Sequence, residues 1–147
     1  MSEAADRPAR AHRTCIRVRY AETDRMGIAW HGRYLEWYET GRTELMRAAG
    51  CTYADVEDEA GIRFPVIEVG SRHLRPARYD DVVEIYTRVT EVRGARVRFD
   101  YELVRASDRQ TLATGYTEHA AVGSDGRPTR LPPHLRARLV SSRPDET

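Results

Sequence analysis

The most informative stretch of the chain reads Asp24-Arg25-Met26-Gly27-Ile28-Ala29-Trp30-His31-Gly32-Arg33-Tyr34-Leu35. Asp24 ends a predicted strand, Gly27 follows three residues later, and an apolar run leads to His31, just before a predicted amphipathic helix. The first turn of a helix has backbone N–H groups without intrahelical partners, at the positive end of the helix dipole. The stretch therefore places a carboxylate beside donors that can polarise a carbonyl group, which indicates acyl chemistry.

The flanking segments predict a strand, a long helix and a short helix. Alternation over residues 14–22 places Ile16, Val18 and Tyr20 on one face of a strand. A second helix is predicted over Tyr53–Ala60. Helical spacing over residues 33–49 gives one apolar stripe, which consists of Tyr34, Leu35, Tyr38, Leu45, Met46 and Ala49.

Gly41 lies inside the long predicted helix, where glycine costs about 1 kcal/mol relative to alanine. Two explanations stay open, close approach of the helix backbone to a sheet and ordinary tolerance.

From residue 62 onward the pattern changes to strands joined by short turns. Strands are predicted over residues 64–74, 82–92, 96–105 and 111–122, and a last helical turn or two over 132–139. A tight turn at residues 93–95 joins two of these strands in a hairpin. Because nothing helical separates the later strands, they favour an antiparallel sheet with the long helix packed on one face, an α+β architecture.

Length and composition predict one domain and exclude several classes of function. The 147 residues suit a single domain over 14–139, between a disordered tail at 1–13 and a flexible tail at 140–147. A net charge of +1 gives no electrostatic reason to expect nucleic-acid binding. Two cysteines are too few for a disulfide framework, and neither a signal peptide nor a membrane span is predicted. We therefore expect a cytoplasmic protein.

Asp24 and His31 are the candidate catalytic residues. Asp24 has a structural interpretation as a turn or helix-capping residue and a functional one as a carboxylate made more basic by its largely apolar surroundings. For His31, either the side chain can act as an acid, a base or an orienting group, or its backbone N–H can be the useful donor. Both alternatives stay open from the spacing alone.

Other catalytic machinery is missing from the sequence. No serine lies in a Gly-x-Ser-x-Gly motif, neither cysteine has a catalytic signature, and there is no phosphate loop or dinucleotide motif. His31, His73 and His119 do not show the spacing of metal ligands, so no metal is expected. A carboxylate remains the best reactive group.

Arg93 and Arg96 flank the predicted hairpin turn. Two guanidinium groups there can bind a phosphate, or they can simply keep the edge of the sheet soluble. A similar choice applies to the aromatic residues Trp30, Trp37 and Tyr38, which can line a pocket or belong to the core and interfaces.

Residues 20–42 resemble the 4-hydroxybenzoyl-CoA thioesterase family, acyl-CoA thioesterases with the hot-dog fold. The family pattern is an aspartate, two residues, a glycine, an apolar and aromatic run, a histidine or tyrosine, two residues and a tyrosine. Here it is formed by Asp24, Gly27, Ile28, Trp30, His31 and Tyr34. The turn at residues 76–81, the hairpin at 93–96 and the segment 128–135 are also similar, so the resemblance covers about residues 14–139.

The resemblance implies a long helix wrapped by a five-stranded antiparallel sheet. It also implies a homodimer or a dimer of dimers, in which two subunits pair edge to edge and the active sites lie at the subunit interface. The second subunit would then supply one wall of the pocket.

The resemblance further implies roles for single residues. Asp24 matches the catalytic carboxylate, and His31 matches the position whose backbone N–H polarises the thioester carbonyl. Substrate contacts are expected from Gly27, Trp30, Tyr34, Arg93 and Arg96. Arg93 matches an arginine that binds the phosphates of CoA, whereas Ala95 replaces a neighbouring lysine and Arg96 is its candidate substitute. Glu39 replaces an aspartate that recognises a substrate hydroxyl, so a hydroxybenzoyl substrate is not assumed.

The expected reaction is hydrolysis of an acyl thioester, with no cofactor apart from the CoA of the substrate. Asp24 either attacks the carbonyl carbon or activates a water molecule. Three alternatives remain: a thioesterase that acts on acyl chains bound to a carrier protein, an acyl-thioester dehydratase, and a non-catalytic acyl-CoA-binding module. The dehydratase is disfavoured, because dehydratases of this fold usually carry their acid on the helix, whereas Asp24 precedes it.

Overall fold

The computed structural model describes residues 11–141 of the chain. Five strands form one antiparallel sheet in the order β1-β3-β4-β5-β2, so that β1 and β2 are its edges. The elements along the chain are β1 (His12–Arg17), α1 (Arg33–Ala48), α2 (Tyr53–Ala60), β2 (Val66–His73), β3 (Val82–Arg93), β4 (Arg96–Arg105), β5 (Thr111–Ala120) and α3 (Pro133–Ser141). The predicted α+β class is confirmed, and within residues 11–141 no helix is long and apolar enough to cross a membrane.

The helix α1 packs on the sheet through a narrow stripe. A Cβ atom on Gly41 would lie 2.4 Å from Thr87 Oγ1 and 2.7 Å from Ile85 Cγ2, so close approach to β3 explains this glycine. Tyr34, Tyr38, Leu45 and Met46 are buried as predicted. The prediction for Leu35 is wrong, because it lies about 100° from Tyr34 around the helix axis and is 45% exposed.

The first strand is shorter than predicted. β1 ends at Arg17, and residues Tyr20–Glu22 form a 3₁₀ turn instead of continuing the strand to residue 22. The physical reason is Glu22, whose buried carboxylate accepts a hydrogen bond from the Arg19 backbone N–H (2.8 Å) and folds the chain back. Tyr20, predicted to face inward, is consequently 76% exposed.

The remaining bounds agree with the predictions within two residues. The predicted tails fall largely outside the described residues, but His12 and Arg13 belong to β1, and residues 140 and 141 belong to α3. The edge strand β2 is unusual because its apolar side chains are exposed, with Val66, Ile67 and Val69 at 44–47%. An edge strand with this composition is typical of a surface that pairs with another chain.

Candidate active site

Asp24 lies in a tight turn that connects the 3₁₀ turn to α1. Its backbone N–H donates to the Ile28 carbonyl (2.8 Å), and the N–H of Gly27 donates back to the Asp24 carbonyl (3.0 Å). Gly27 has φ +77°, a left-handed conformation that glycine adopts without steric cost. The spacing of Asp24 and Gly27 is therefore the spacing of a turn.

The carboxylate of Asp24 is half-buried and lies at a cleft. Oδ1 accepts a hydrogen bond from the Met26 backbone N–H (2.8 Å), and Oδ2 accepts none from residues 11–141. The cleft has a volume of about 280 Å³, and its lining consists of Asp24, Met26, Ile28, Ala29, His31, Tyr34, His73, Leu74, Arg75 and Pro76. The turn interpretation of Asp24 is thus correct for one oxygen, while the other has no hydrogen bond within residues 11–141.

The start of α1 supplies backbone donors to the same cleft. The N–H groups of Ala29 and Trp30 are bound by the carbonyls of Ala77 and Glu22 (both 2.8 Å), and the helix begins at Arg33. Within the described chain, the N–H groups of His31 and Gly32 donate to no protein acceptor. One of these two residues, His31, lines the cleft that contains Asp24.

Gly32 lies against the exposed ring of Trp30, which would have to move to admit a larger residue. A Cβ atom there would lie 2.3 Å from Cζ3 of Trp30, whose ring also contacts the imidazole of His31 (ring centroids 5.1 Å apart). The His31 side chain is exposed, and Trp30 is 50% exposed. Trp30 therefore covers the start of α1 from outside the cleft.

His73, at the end of β2, is a cleft residue that the sequence analysis considered only as a metal ligand. Its ring packs on Tyr34 (centroids 4.2 Å apart), and Nε2 is hydrogen-bonded to Ser71 Oγ (2.9 Å), which in turn contacts the Tyr38 hydroxyl (2.7 Å). Burial, together with the neighbouring His31, lowers the pKa of His73. Its position opposite α1 depends on sheet packing, and no local signal in the sequence reveals it.

Buried hydrogen bonds hold the wall of the cleft in place. The Tyr34 hydroxyl accepts a hydrogen bond from the Ala77 N–H (3.3 Å), and the Trp37 indole N–H donates to Glu22 Oε2 (3.2 Å). Burial opposes ionisation of Glu22, but the hydrogen bonds from Arg19 and Trp37 outweigh it and lower its pKa. Trp37 and Tyr38 are 3% and 0% exposed, so both belong to the core.

Arg93 and Arg96 lie far from Asp24 within one chain. They border a separate cleft of about 440 Å³ at the β3–β4 hairpin, and the Arg93 side chain is 84% exposed. The hairpin lies near the start of β2, because both are attached to the same end of β5. Ala120 of β5 pairs with Arg96 at the start of β4, and the adjacent His119 pairs with Val66 at the start of β2. His73 and the Asp24 cleft are at the other end of β2. The strand rises about 3.3 Å per residue, so Val66 and His73 are about 23 Å apart.

The predicted site residues thus fall into two groups. Asp24, His31 and Tyr34 line one cleft, with Gly27 in the adjoining turn and Trp30 outside the cleft, whereas the two arginines border another. Across the residues that the structure describes, no group of three or more His, Cys, Asp or Glu side chains is arranged to hold a metal ion.

Comparison with known proteins identifies the family. The model of the thioesterase-like superfamily matches residues 18–139. The acyl-CoA thioesterase YbgC of Haemophilus influenzae is 30% identical over 122 residues, which are 83% of this chain and 89% of that protein. The putative acyl-CoA thioesterase YneP of Bacillus subtilis is 36% identical over 88 residues, 60% of this chain and 63% of that protein.

The fold is shared with a solved structure. The DHNA-CoA thioesterase from Staphylococcus aureus is 30% identical, with a TM-score of 0.84 over 89% of each chain. The chain therefore belongs to the thioesterase-like superfamily, and the prediction of a thioesterase with the hot-dog fold is confirmed.

Proposed function

We propose that the chain hydrolyses acyl-CoA thioesters to a free carboxylic acid and CoA. The observation that carries the proposal is the pairing of a half-buried carboxylate, Asp24, with the free N–H of His31 in one cleft. The names of the relatives, acyl-CoA thioesterases among them, support the CoA ester as substrate.

The His31 N–H would bind the thioester carbonyl oxygen. Negative charge develops on this oxygen when the carbonyl carbon is attacked, and a backbone donor at a helix start is already oriented to stabilise it. Removal of a single donor of this kind typically costs about 3–4 kcal/mol of transition-state stabilisation. The Gly32 N–H, which is also free of acceptors within residues 11–141, is a second candidate donor.

Asp24 would supply the nucleophile in one of two ways. In the first, a carboxylate oxygen attacks the carbonyl carbon, the carbon–sulfur bond breaks with departure of CoA thiolate, and water hydrolyses the resulting anhydride. In the second, Asp24 takes a proton from a water molecule, which attacks directly. In both routes the thiolate is a good leaving group, and a strong general acid is unnecessary.

The position of the arginine hairpin supports a homodimer with shared active sites. Antiparallel pairing of two exposed β2 edges about a two-fold axis would place the start of one β2 beside the end of the other. The partner's hairpin would then lie on the side of this chain's Asp24 cleft. Arg93 and Arg96 of one subunit would thereby bind the phosphates of a CoA ester that reacts in the other. A dimer of dimers would leave this arrangement intact.

No cofactor enters this reaction, and CoA takes part only as the leaving group of the substrate. A cytoplasmic location, where acyl-CoA is made and used, fits the proposal. Acyl chains bound to a carrier protein would place the same thioester in the cleft and are the alternative substrate.

The test is a panel of acyl-CoA esters, from short to long and from aliphatic to aromatic, assayed for released thiol. We expect turnover of at least one class, and the same acyl groups on a carrier protein would show which donor is preferred. Tight binding of acyl-CoA without thiol release would overturn the proposal in favour of a binding module.

A further inference from the structure

A second cleft, which the proposed mechanism does not use, opens beside the middle of α1. Its volume is about 580 Å³, and its lining includes Arg42, Tyr53 and three apolar residues. The carbon-rich part of this lining, with Ile62, Phe64 and Val122, suits an apolar ligand. Four lining residues are charged, and of these Arg42 is half-buried whereas Glu39, Glu57 and Arg63 are exposed.

The groups next to the guanidinium of Arg42 are neutral hydroxyls. The guanidinium lies beside the hydroxyls of Tyr53 and Tyr101, and burial raises the pKa of Tyr53 to about 12, so that this phenol stays neutral. Arg42 forms no ion pair with any of the side chains that the structure describes, while the nearby Glu57 is paired with Arg63 (3.2 Å). The Tyr53 hydroxyl is buried without a hydrogen bond of good geometry in the same part of the chain.

A half-buried guanidinium without an anionic partner is an unusual arrangement. Charged groups removed from water are normally paired, because desolvation of an unpaired charge is costly. Arginine matches a carboxylate especially well, since its planar fork donates two parallel hydrogen bonds. The cleft is therefore suited to an apolar ligand that ends in a carboxylate.

The second cleft lies along the same seam as the Asp24 cleft. On α1, Tyr34, Tyr38 and Arg42 are spaced four residues apart and share one side of the helix. On β2, His73 contacts Tyr34 and Ser71 contacts Tyr38, so the helix and the strand run alongside each other. The eight residues from Tyr34 to Arg42 correspond to about 12 Å of helix.

The open side of this seam is apolar between the Asp24 cleft and Glu39, which is exposed at the second cleft. Leu35 lies one helical turn before Glu39 on the same side of α1 and is 45% exposed, and Val69 on β2 is 44% exposed. A chain of methylene groups that starts at the thioester near His31 can therefore pass along an apolar surface before it reaches Arg42.

We infer that Arg42 is a specificity-determining residue, which selects acyl groups that end in a carboxylate. The preferred substrates would then be CoA monothioesters of medium-chain dicarboxylic acids. This inference rests on the proposed thioesterase function and adds the class of acyl group to it.

The experiment compares two series of CoA esters that differ only at the far end of the chain. Octanedioyl-, decanedioyl- and dodecanedioyl-CoA are compared with octanoyl-, decanoyl- and dodecanoyl-CoA, and kcat/KM is measured for each. We expect the wild type to prefer the dicarboxylic ester in at least one matched pair. Arg42→Met should lower this preference about tenfold or more, the effect of one charge-assisted hydrogen bond, and Arg42→Lys should retain part of it.

The matched control is Arg47→Met, which removes an exposed arginine from the same helix outside both clefts. It should leave the preference unchanged. If Arg42→Met does not fold, two measurements still test the inference: the preference of the wild type for dicarboxylic esters and the partial retention of this preference in Arg42→Lys. Hydrolysis of both series without preference, or an equal loss for both in Arg42→Met, would overturn the inference and leave the proposed function standing. Failure of the wild type to hydrolyse any acyl-CoA would instead refute the proposed function, and the inference with it.

Discussion

The imidazole of His73 packs against the ring of Tyr34, with the ring centroids 4.2 Å apart. This contact joins the last residue of β2 to the first turn of α1 and closes one side of the cleft at Asp24. The carboxylate, the free backbone N–H of His31 and His73 therefore come from three separate segments. A reaction at this cleft depends on their relative placement, which substitutions at single positions can probe.

Replacement of Asp24 by asparagine should abolish most of the turnover and leave the fold intact. Asparagine retains an oxygen that accepts the hydrogen bond from Met26, but it can neither attack a thioester nor accept a proton from water. We expect kcat for a good acyl-CoA substrate to fall by about two to four orders of magnitude with an unchanged melting temperature.

Asp125→Asn is the matched control for this variant. Asp125 also accepts a hydrogen bond from the backbone N–H two residues later, that of Arg127 (3.0 Å), but it lies in an exposed loop that lines neither cleft. Its replacement should leave kcat unchanged. Near-normal turnover by Asp24→Asn would rule out the proposed role of Asp24.

Replacement of both Arg93 and Arg96 by methionine should affect only substrates that carry the nucleotide. Arginine binds phosphate through charge-assisted hydrogen bonds, each of about 1.5–3 kcal/mol. We expect KM for acyl-CoA to rise at least tenfold, while KM for the same acyl group on a small thiol stays constant. Arg127→Met, at an exposed loop arginine, is the control, and a similar rise for both substrates would contradict a phosphate-binding role.

The turn and the helix start could be predicted because their signals are local. Asp24 and Gly27 lie within one turn, and the helix follows from the periodicity of its own residues, so both are visible in the linear sequence. The edge of the apolar stripe could not be predicted, because Leu35 is apolar but turned away from the sheet. The early end of β1 depends on the hydrogen bonds that Glu22 makes after folding. The positions of His73 and Arg42 depend in the same way on how α1 packs beside β2.

Gly41→Ala should destabilise the protein although alanine is the better helix former. The added Cβ would lie 2.4 Å from Thr87 Oγ1 and 2.7 Å from Ile85 Cγ2, and α1 would have to move away from β3. Overpacking typically costs about 1–3 kcal/mol, and two contacts with buried β-branched side chains favour the upper part of this range, above the gain of about 1 kcal/mol in helix propensity. Chemical denaturation measures the difference, and a gain in the free energy of unfolding would refute the close approach as the reason for glycine.

His119 should make stability depend on pH between about 6.5 and 4. The Phe64 carbonyl can only accept, so Nδ1 of His119 carries the proton (3.0 Å), and the neutral Nε2 accepts from the Thr117 hydroxyl (2.9 Å). Burial is the main cause that lowers the pKa of His119 from 6.5 to about 4; the nearby charge of Arg42 acts in the same direction, and the Phe64 hydrogen bond only partly offsets the two.

The unfolded chain therefore binds this proton first as the pH falls. The free energy of unfolding should decrease below pH 6.5, and the contribution of His119 to this decrease should reach about 3 kcal/mol near pH 4. Denaturant titrations of the wild type and of His119→Gln, which cannot be protonated, measure this contribution as the difference in slope against pH. Between pH 6.5 and 4 we expect the free energy of unfolding of the variant to depend less steeply on pH than that of the wild type, and above pH 7 we expect parallel curves. Equal slopes between pH 6.5 and 4 would show that His119 is not held neutral in the folded protein.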